Sequence, residues 1–355
     1  MKELKNVSNK LFLQLLILFG VVILIFLLGT SYSVLFYDTI FPVLQYVRCG
    51  VFSLVPWSVG DLVYALALLY LIYQVSLFFK QKKFLLKSQW LIALLQMTKL
   101  ALVMTILLYL FWSALYAQDT LSQRLHLNPS DSISPNKLAA FDSSLIHRIN
   151  NLAPQVDSLS LMLCDSLAAN AYQDLGLRFN TQTKQSLFAR ALPYLGISGY
   201  FNPFTGEAQI DNKTPNFLLP FLMCHEMAHQ IGIAAEDDAN LMAYIRCAES
   251  ENPTFQYSAY FNIWLYAHSK VYKLDSVKAN HLKRQLNPIS LSHINLIKSR
   301  QAQYHTFLDD WSTYIFDAFL KIGNQSEGIE SYRNVAYSAL CWEQKQLVLI
   351  SKRKR

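Results

Sequence analysis

The stretch Cys224-His225-Glu226-Met227-Ala228-His229 sets two imidazoles four residues apart, with a carboxylate beside the first. On a helix that spacing puts both rings on one face, close enough to share one divalent cation. Glu226 can then reach toward the coordination position such an ion keeps open and take a proton from a water there. The surrounding Phe221, Leu222, Met223, Met227, Ala228 and Ile231 are apolar. A glutamate and two histidines are costly among them unless something pairs the three groups, and a metal ion does so. The plain alternative is a helix with two hydrogen-bonded histidines and a surface glutamate.

A hydrolytic zinc site takes three protein ligands and leaves a fourth position open. Glu236 is the first candidate for the third ligand, because Gly232 lets the chain turn and bring a carboxylate back; Asp238 is its rival. Acids here also suit the positive end of a helix. Zinc peptidases of the thermolysin-like class (gluzincins) carry Glu-x-x-x-Asp on the helix after HExxH, and Glu236-Asp237-Asp238-Ala239-Asn240 is similar. The resemblance implies that Glu236 binds one Zn²⁺, while Asn240, with Asp238 nearby, supports the ligands by hydrogen bonding. The metzincin pattern HExxHxxGxxH shares Gly232, but its third-ligand position is Ala235, which cannot bind metal.

Upstream, Ile197 to Asp211 reads as two short strands around a turn marked by Pro203 and Gly206. In thermolysin-like folds an edge strand near the site helix pairs with extended substrate. Tyr200, Phe201, Asn202 and Glu207 are therefore candidate substrate-strand residues, with a purely structural β-arm as the equal alternative. Hydrolysis also needs a donor for the developing oxyanion. Tyr332, Arg333 and His268 or His293 are candidates, though each reads more simply as an ordinary surface or core residue.

These groups need rigid elements behind them. The apolar run Asn216–Ile231 predicts a buried helix capped by Gly232, and a second helix is expected from near Glu236 through Cys247. Helical periodicity also marks 137–152, 155–175 and much of 253–351. The expected fold is mainly α: three N-terminal transmembrane helices, then a mostly helical zincin-like domain with a small β-hairpin. Apolar residues make up 53% of the 355-residue chain and charged residues 15%, too apolar for an ordinary soluble protein. The excess sits in the first third, in runs at about 11–29, 61–79 and 91–117, each long enough to cross a bilayer. Residues 1–117 thus read as a membrane domain, 118–136 as a linker and 137–355 as an extracytoplasmic zinc metallopeptidase-like domain.

Lys2, Lys5 and Lys10 precede the first run, and Lys80, Lys82, Lys83 and Lys87 separate the second from the third, whereas Arg48 stands alone between the first two. The positive-inside rule then places the N-terminus in the cytoplasm and everything after the third run outside. Lys99 is expected to snorkel from the third span. The net charge of +7 comes largely from basic loops and tail, with no Arg-rich patch that would suit nucleic acid. Five widely spaced cysteines do not form a disulfide framework; Cys224 and Cys247 read as buried thiols, with one bridge left open among the outer cysteines.

Pro56-Trp-Ser-Val-Gly-Asp61, Tyr200-Phe-Asn-Pro-Phe-Thr-Gly-Glu-Ala-Gln209 and Cys224-His-Glu-Met-Ala-His-Gln230 through Asn240 resemble the DUF 3810 family of bacterial membrane proteins over nearly the whole chain. Members usually show Glu-Asp-Glu-Ala-Asn, so Asp238 is a departure that favours Glu236 as ligand. The resemblance implies a multi-pass protein of the bacterial inner membrane with a periplasmic body, and supplies no substrate. The expected function rests on the site: a membrane-anchored zinc metallopeptidase acting on peptide or protein substrates. The alternatives are a non-catalytic zinc-containing envelope binding or scaffold protein, and a zinc amidase of cell-wall material.

Overall fold

The computed structural model describes residues 2–82, 86–128, 133–322 and 334–353. The chain is mainly α-helical. Helix α1 (Lys2–Leu35) passes through a π-helical segment, Phe36–Ile40, into α2 (Phe41–Phe52). Helices α3 (Val59–Lys80) and α4 (Lys87–Phe111) follow, and a 3₁₀ turn at Ser113–Ala117 leads to the short α5 (Leu121–Arg124). Next come α6 (Pro135–Leu152), α7 (Leu161–Asn170), β1 (Thr183–Gln185), β2 (Gly199–Phe201) and β3 (Ala208–Ile210). The rest is helical: α8 (Leu219–Gln230), α9 (Glu236–Ala248), α10 (Pro253–Leu274), α11 (Ser276–Lys283), α12 (Pro288–Tyr304), α13 (Phe307–Ile322) and α14 (Val335–Arg353).

Start signals account for many of these boundaries. Side chains of Ser58, Ser134, Ser160, Asn252 and Asn287 each accept a backbone N–H in the first turn of the helix that follows. Proline opens α6, α10 and α12, where its missing N–H costs nothing.

Two of the three expected spans qualify among the described residues. Val59–Lys80 and Ser88–Phe111 are long and apolar enough to cross a membrane. The described apolar stretch of α1, Asn9–Ile25, falls short of the roughly 20 residues a span needs. Large apolar side chains such as Leu68, Leu69 and Leu94 are exposed on α3 and α4, the reverse of a soluble core helix. The Lys99 ammonium donates to Gln14 Oε1 at 3.0 Å, pairing polar residues of α4 and α1.

Around α10, the helices α6, α8, α9, α11 and α14 pack into one core, with Phe261, Trp264 and Ala267 of α10 fully or almost fully buried. The described start of the segment read as a linker joins that core: α5 opens on a Thr120–Gln123 capping box, and both Leu121 and Leu127 are buried in the core. A second apolar cluster, Phe36, Phe41, Trp112, Ala114, Leu115 and Ala234, binds the ends of the N-terminal helices to the loop after α8.

The expected hairpin forms as β2 antiparallel to β3, with Tyr200 opposite Gln209. A third strand that the sequence reading missed, β1, pairs parallel with β3, giving the order β1-β3-β2. All five cysteines are free, and Cys164, Cys224 and Cys247 lie in the main core.

Candidate metal centre

Helix α8 carries His225 and His229 one turn apart, with ring centroids 4.7 Å from each other. Its end is a Schellman cap: Gly232 N–H donates to His229 O at 3.0 Å and Ile233 N–H to Ala228 O at 3.1 Å. Gly232 takes φ +96°, and a Cβ there would lie 2.9 Å from the Phe41 ring. That turn starts α9 at Glu236 and returns its carboxylate to the histidines. Glu236 Oε2 stands 3.2 Å from His225 Nε2 and 3.6 Å from His229 Nε2. The cap also orients a ring, since His229 Nδ1 donates to Ile233 O at 2.7 Å and leaves Nε2 to face the cluster.

One ligand atom from each of His225, His229 and Glu236 lies within 4.8 Å of the others. Three ligands bonded tetrahedrally to zinc at about 2.0–2.2 Å stand about 3.3 Å apart, close to the two carboxylate–imidazole distances. The N,N,O donor set is one zinc accepts. Burial opposes ionisation of Glu236, but His229 and His225 outweigh it and hold the carboxyl well below the usual range. Burial likewise opposes charge on His229, yet Glu236 carries it up to about 9.

Glu226 is buried beside this cluster. Burial pushes its carboxyl up to about 7, against the pull of His225 and His229. Its Oε2 and the Nδ1 of His225 have no hydrogen-bond partner. Gly199, at the start of β2, passes close to it: a Cβ there would lie 2.6 Å from Glu226 Oε1 and 3.0 Å from Gln209 O. Only a glycine lets the strand pass so close. Because Asp211 N–H bonds Ser198 O and Asn202 N–H bonds Glu207 O, Tyr200 pairs inward with Gln209. By alternation, the N–H and C=O groups of Gly199 and Phe201 point to the free edge of the sheet.

The N-terminal helices supply one wall of the site. Trp112 meets the His229 ring at 5.6 Å and the Phe201 ring at 4.8 Å. Tyr116, from the 3₁₀ turn after α4, and Tyr266, from α10, lie near enough to Glu236 to feel its charge. Burial first, and then Glu236, push the Tyr266 hydroxyl up to about 12 and that of Tyr116 higher still. Sequence reasoning missed Gly199, Trp112, Tyr116 and Tyr266, none of which carries a local metal-site signal.

Asp238, Tyr200, Asn202 and Glu207 are engaged elsewhere, whereas Asn240 stays near Glu236. Asp238 Oδ2 accepts the Leu121 N–H at 2.8 Å, so this acid holds α5 rather than the ligands. Asn240 sits beside the Tyr266 hydroxyl, and its amide nitrogen has no hydrogen-bond partner. Tyr200 donates to Asp61 Oδ1 in the first turn of α3. The Asn202 side chain closes its own turn by accepting from Phe204 and Thr205 N–H. Glu207 caps α3, accepting from Val59 N–H at 3.1 Å and Gly60 N–H at 2.7 Å, and pairs with buried Lys184 at 2.8 Å. Of the four candidate strand residues, Phe201 stands at the wall of the His225–His229–Glu236 group, through Trp112.

His268 donates to Asp142, and His293 stacks on Phe217 with centroids 4.0 Å apart; both are structural. Tyr332 and Arg333 lie outside the described residues. No curated protein and no solved structure matches the chain. Residues 32–337 match the family described as "Protein of unknown function (DUF3810)", and the chain belongs to that family.

Proposed function

We propose that this protein is a membrane-anchored zinc-dependent metallopeptidase, with α1 as a third span, the N-terminus cytoplasmic and the body periplasmic. The observation that carries the reading is the convergence of His225, His229 and Glu236 beside a buried carboxyl with an unpartnered oxygen. A structural zinc site has no use for Glu226, whose burial is costly without a partner.

When bound, zinc would supply a Lewis acid that polarises the scissile carbonyl and makes water a nucleophile near neutral pH. The chain's own residues do the rest. His225, His229 and Glu236 would hold the ion. Glu226, whose Oε2 is buried without a partner beside the cluster, accepts the proton of the attacking water and delivers it to the leaving amine. The free edge at Gly199 and Phe201 pairs with an extended peptide backbone and sets its carbonyl beside Glu226. Trp112 and Phe201 exclude water from one side, and the protonated Tyr116 and Tyr266 hydroxyls are donors for the oxyanion.

The test combines two substitutions in the full-length protein. Glu226→Gln should keep one zinc per chain and abolish cleavage of a peptide library, while His229→Ala should lose the zinc. Undiminished cleavage by Glu226→Gln removes the base assignment; an unchanged zinc content in His229→Ala rejects the site.

A further inference from the structure

Helix α13 presents an apolar face that the core does not use. Phe307, Leu308, Trp311, Tyr314 and Ile315 recur at spacings of one to four residues along one arc of the helix. Phe307, Trp311 and Tyr314 are 77%, 63% and 73% exposed.

The adjoining arc is tied down. Ser312 Oγ donates to Leu195 O at 2.6 Å, and the Asp309 carboxylate crowds the place a Cβ of Gly196 would take. Thr306 Oγ1, just before the helix, donates to Tyr194 O at 3.3 Å. The partners belong to one strap, 186–196, whose other end is fastened to α3. There Ser186 Oγ and Leu187 N–H donate to Asp61 Oδ2, at 2.9 and 2.7 Å. Two short hydrogen-bonded steps therefore join α13 to the N-terminal end of a helix apolar enough to cross a bilayer. The strap and the loop entering α3 expose further apolar groups, Leu187, Tyr194, Leu54 and Trp57. A tryptophan just outside a span is a headgroup-level residue.

We infer that α13 lies in the plane of the bilayer, its aromatic arc buried at the headgroup–acyl boundary of the leaflet that receives the start of α3. The inference rests on the membrane-anchored part of the proposed function and needs nothing from the metal. Phenylalanine, tryptophan and tyrosine on one face are the residues an interfacial helix uses. The helix carries Asp309, Asp310 and Asp317 against Lys321, so apolar burial drives its insertion, not attraction to anionic lipid. The strap continues through Ile197 and Ser198 into Gly199, so the contact holds the free edge of β2 close to the membrane surface, within reach of membrane-proximal peptide segments.

The experiment uses the full-length protein in phosphatidylcholine vesicles containing lipid brominated high in the acyl chain. The emission of Trp311 is obtained by difference against Trp311→Phe, and that of Trp90, at the start of α4, against Trp90→Phe. Both should be quenched, by equal amounts with or without anionic lipid and at high salt. Quenching of Trp90 without quenching of Trp311 overturns the inference and leaves the membrane anchor standing. Failure of both removes the anchor and the inference together. A Trp311 shielded from both brominated lipid and aqueous iodide is covered by protein, which also overturns it.

Discussion

Replacing Glu207 by glutamine separates a structural role from a substrate-binding one. Its Oε1 accepts from Val59 N–H and from the Lys184 ammonium, and its Oε2 from Gly60 N–H and the Thr205 hydroxyl. Four donors converge on a carboxylate that is 4% exposed. A glutamine must aim its NH₂ at one of these pairs. The less costly choice is the Gly60–Thr205 side, since the hydroxyl can reverse and accept. Gly60 N–H then loses its acceptor, at about 1–3 kcal/mol. Lys184 keeps the carbonyls of Phe52 and Trp57 but loses its only described counter-charge. Breaking a buried pair costs about 3–5 kcal/mol, and the two contributions overlap. A total near 4 kcal/mol lowers the melting temperature of a unit this size by about 10 °C. Lys184→Met should cost less, because Glu207 keeps three donors, two of them at the positive end of α3. The assay is thermal unfolding in detergent followed by circular dichroism, with zinc content measured alongside and expected not to change. A Glu207→Gln protein that melts like wild type but binds peptide more weakly refutes the reasoning and returns Glu207 to the substrate strand.

Gly199→Ala pushes a methyl into Glu226 and should cost about 1–3 kcal/mol by overpacking. Peptide hydrolysis should fall about 100-fold from displacement of the base, with zinc retained; unaltered turnover would detach β2 from the chemistry. Gly232→Ala meets both a positive φ and the Phe41 ring, and should cost about 2–4 kcal/mol in denaturant unfolding. It should also weaken zinc binding, because the cap sets both Glu236 and the His229 ring; adding Phe41→Ala should recover part of the stability. Burial holds His293 below its ordinary range, so protons bind the unfolded chain more readily than the folded one. Stability should therefore fall as pH drops below about 6.5, and His293→Gln should show a shallower fall in a pH series of melting curves.

The legible parts of the molecule are those encoded by neighbours in sequence. The i, i+4 histidines, the capping glycine and the acid after it are one local unit, and helix α8, its Schellman cap and the start of α9 follow from it. The β2–β3 hairpin was readable for the same reason, through Pro203 and Gly206. Strand β1 was not, because Thr183-Lys184-Gln185 has no apolar alternation and exists only by pairing with β3. Nor does anything near Tyr116 or Trp112 announce that the chain leaving α4 turns onto the His225–His229–Glu236 group. That contact is made by the fold bringing residue 112 to residue 229.

The most distinctive block outside the histidine helix, Asn202-Pro-Phe-Thr-Gly-Glu207, reads in sequence as a substrate strand or a structural β-arm, and its contacts are those of a fastening. Gly206 O accepts amide N–H groups from Gln45 of α2 and Gln230 of α8, at 2.9 and 3.1 Å. Arg48 donates to Pro203 O, and Glu207 caps α3. A Cβ on Gly206 would lie 2.5 Å from Gln45 Oε1, and one on Gly60 would lie 2.3 Å from the Asn202 amide. The turn is thus tightly specified because main chain and buried amides from three helices meet on it, a demand as strict on residue type as catalysis. Spacing cannot tell these demands apart: both call for polar groups and glycines at fixed positions, and only the partners differ. The consequence for function is mechanical. The same turn that anchors α2 and α3 grips the last residue of the helix bearing both histidines, so movement of α2 and α3 would reach His225 and His229 through Gln230 and Gly206 without crossing a flexible linker.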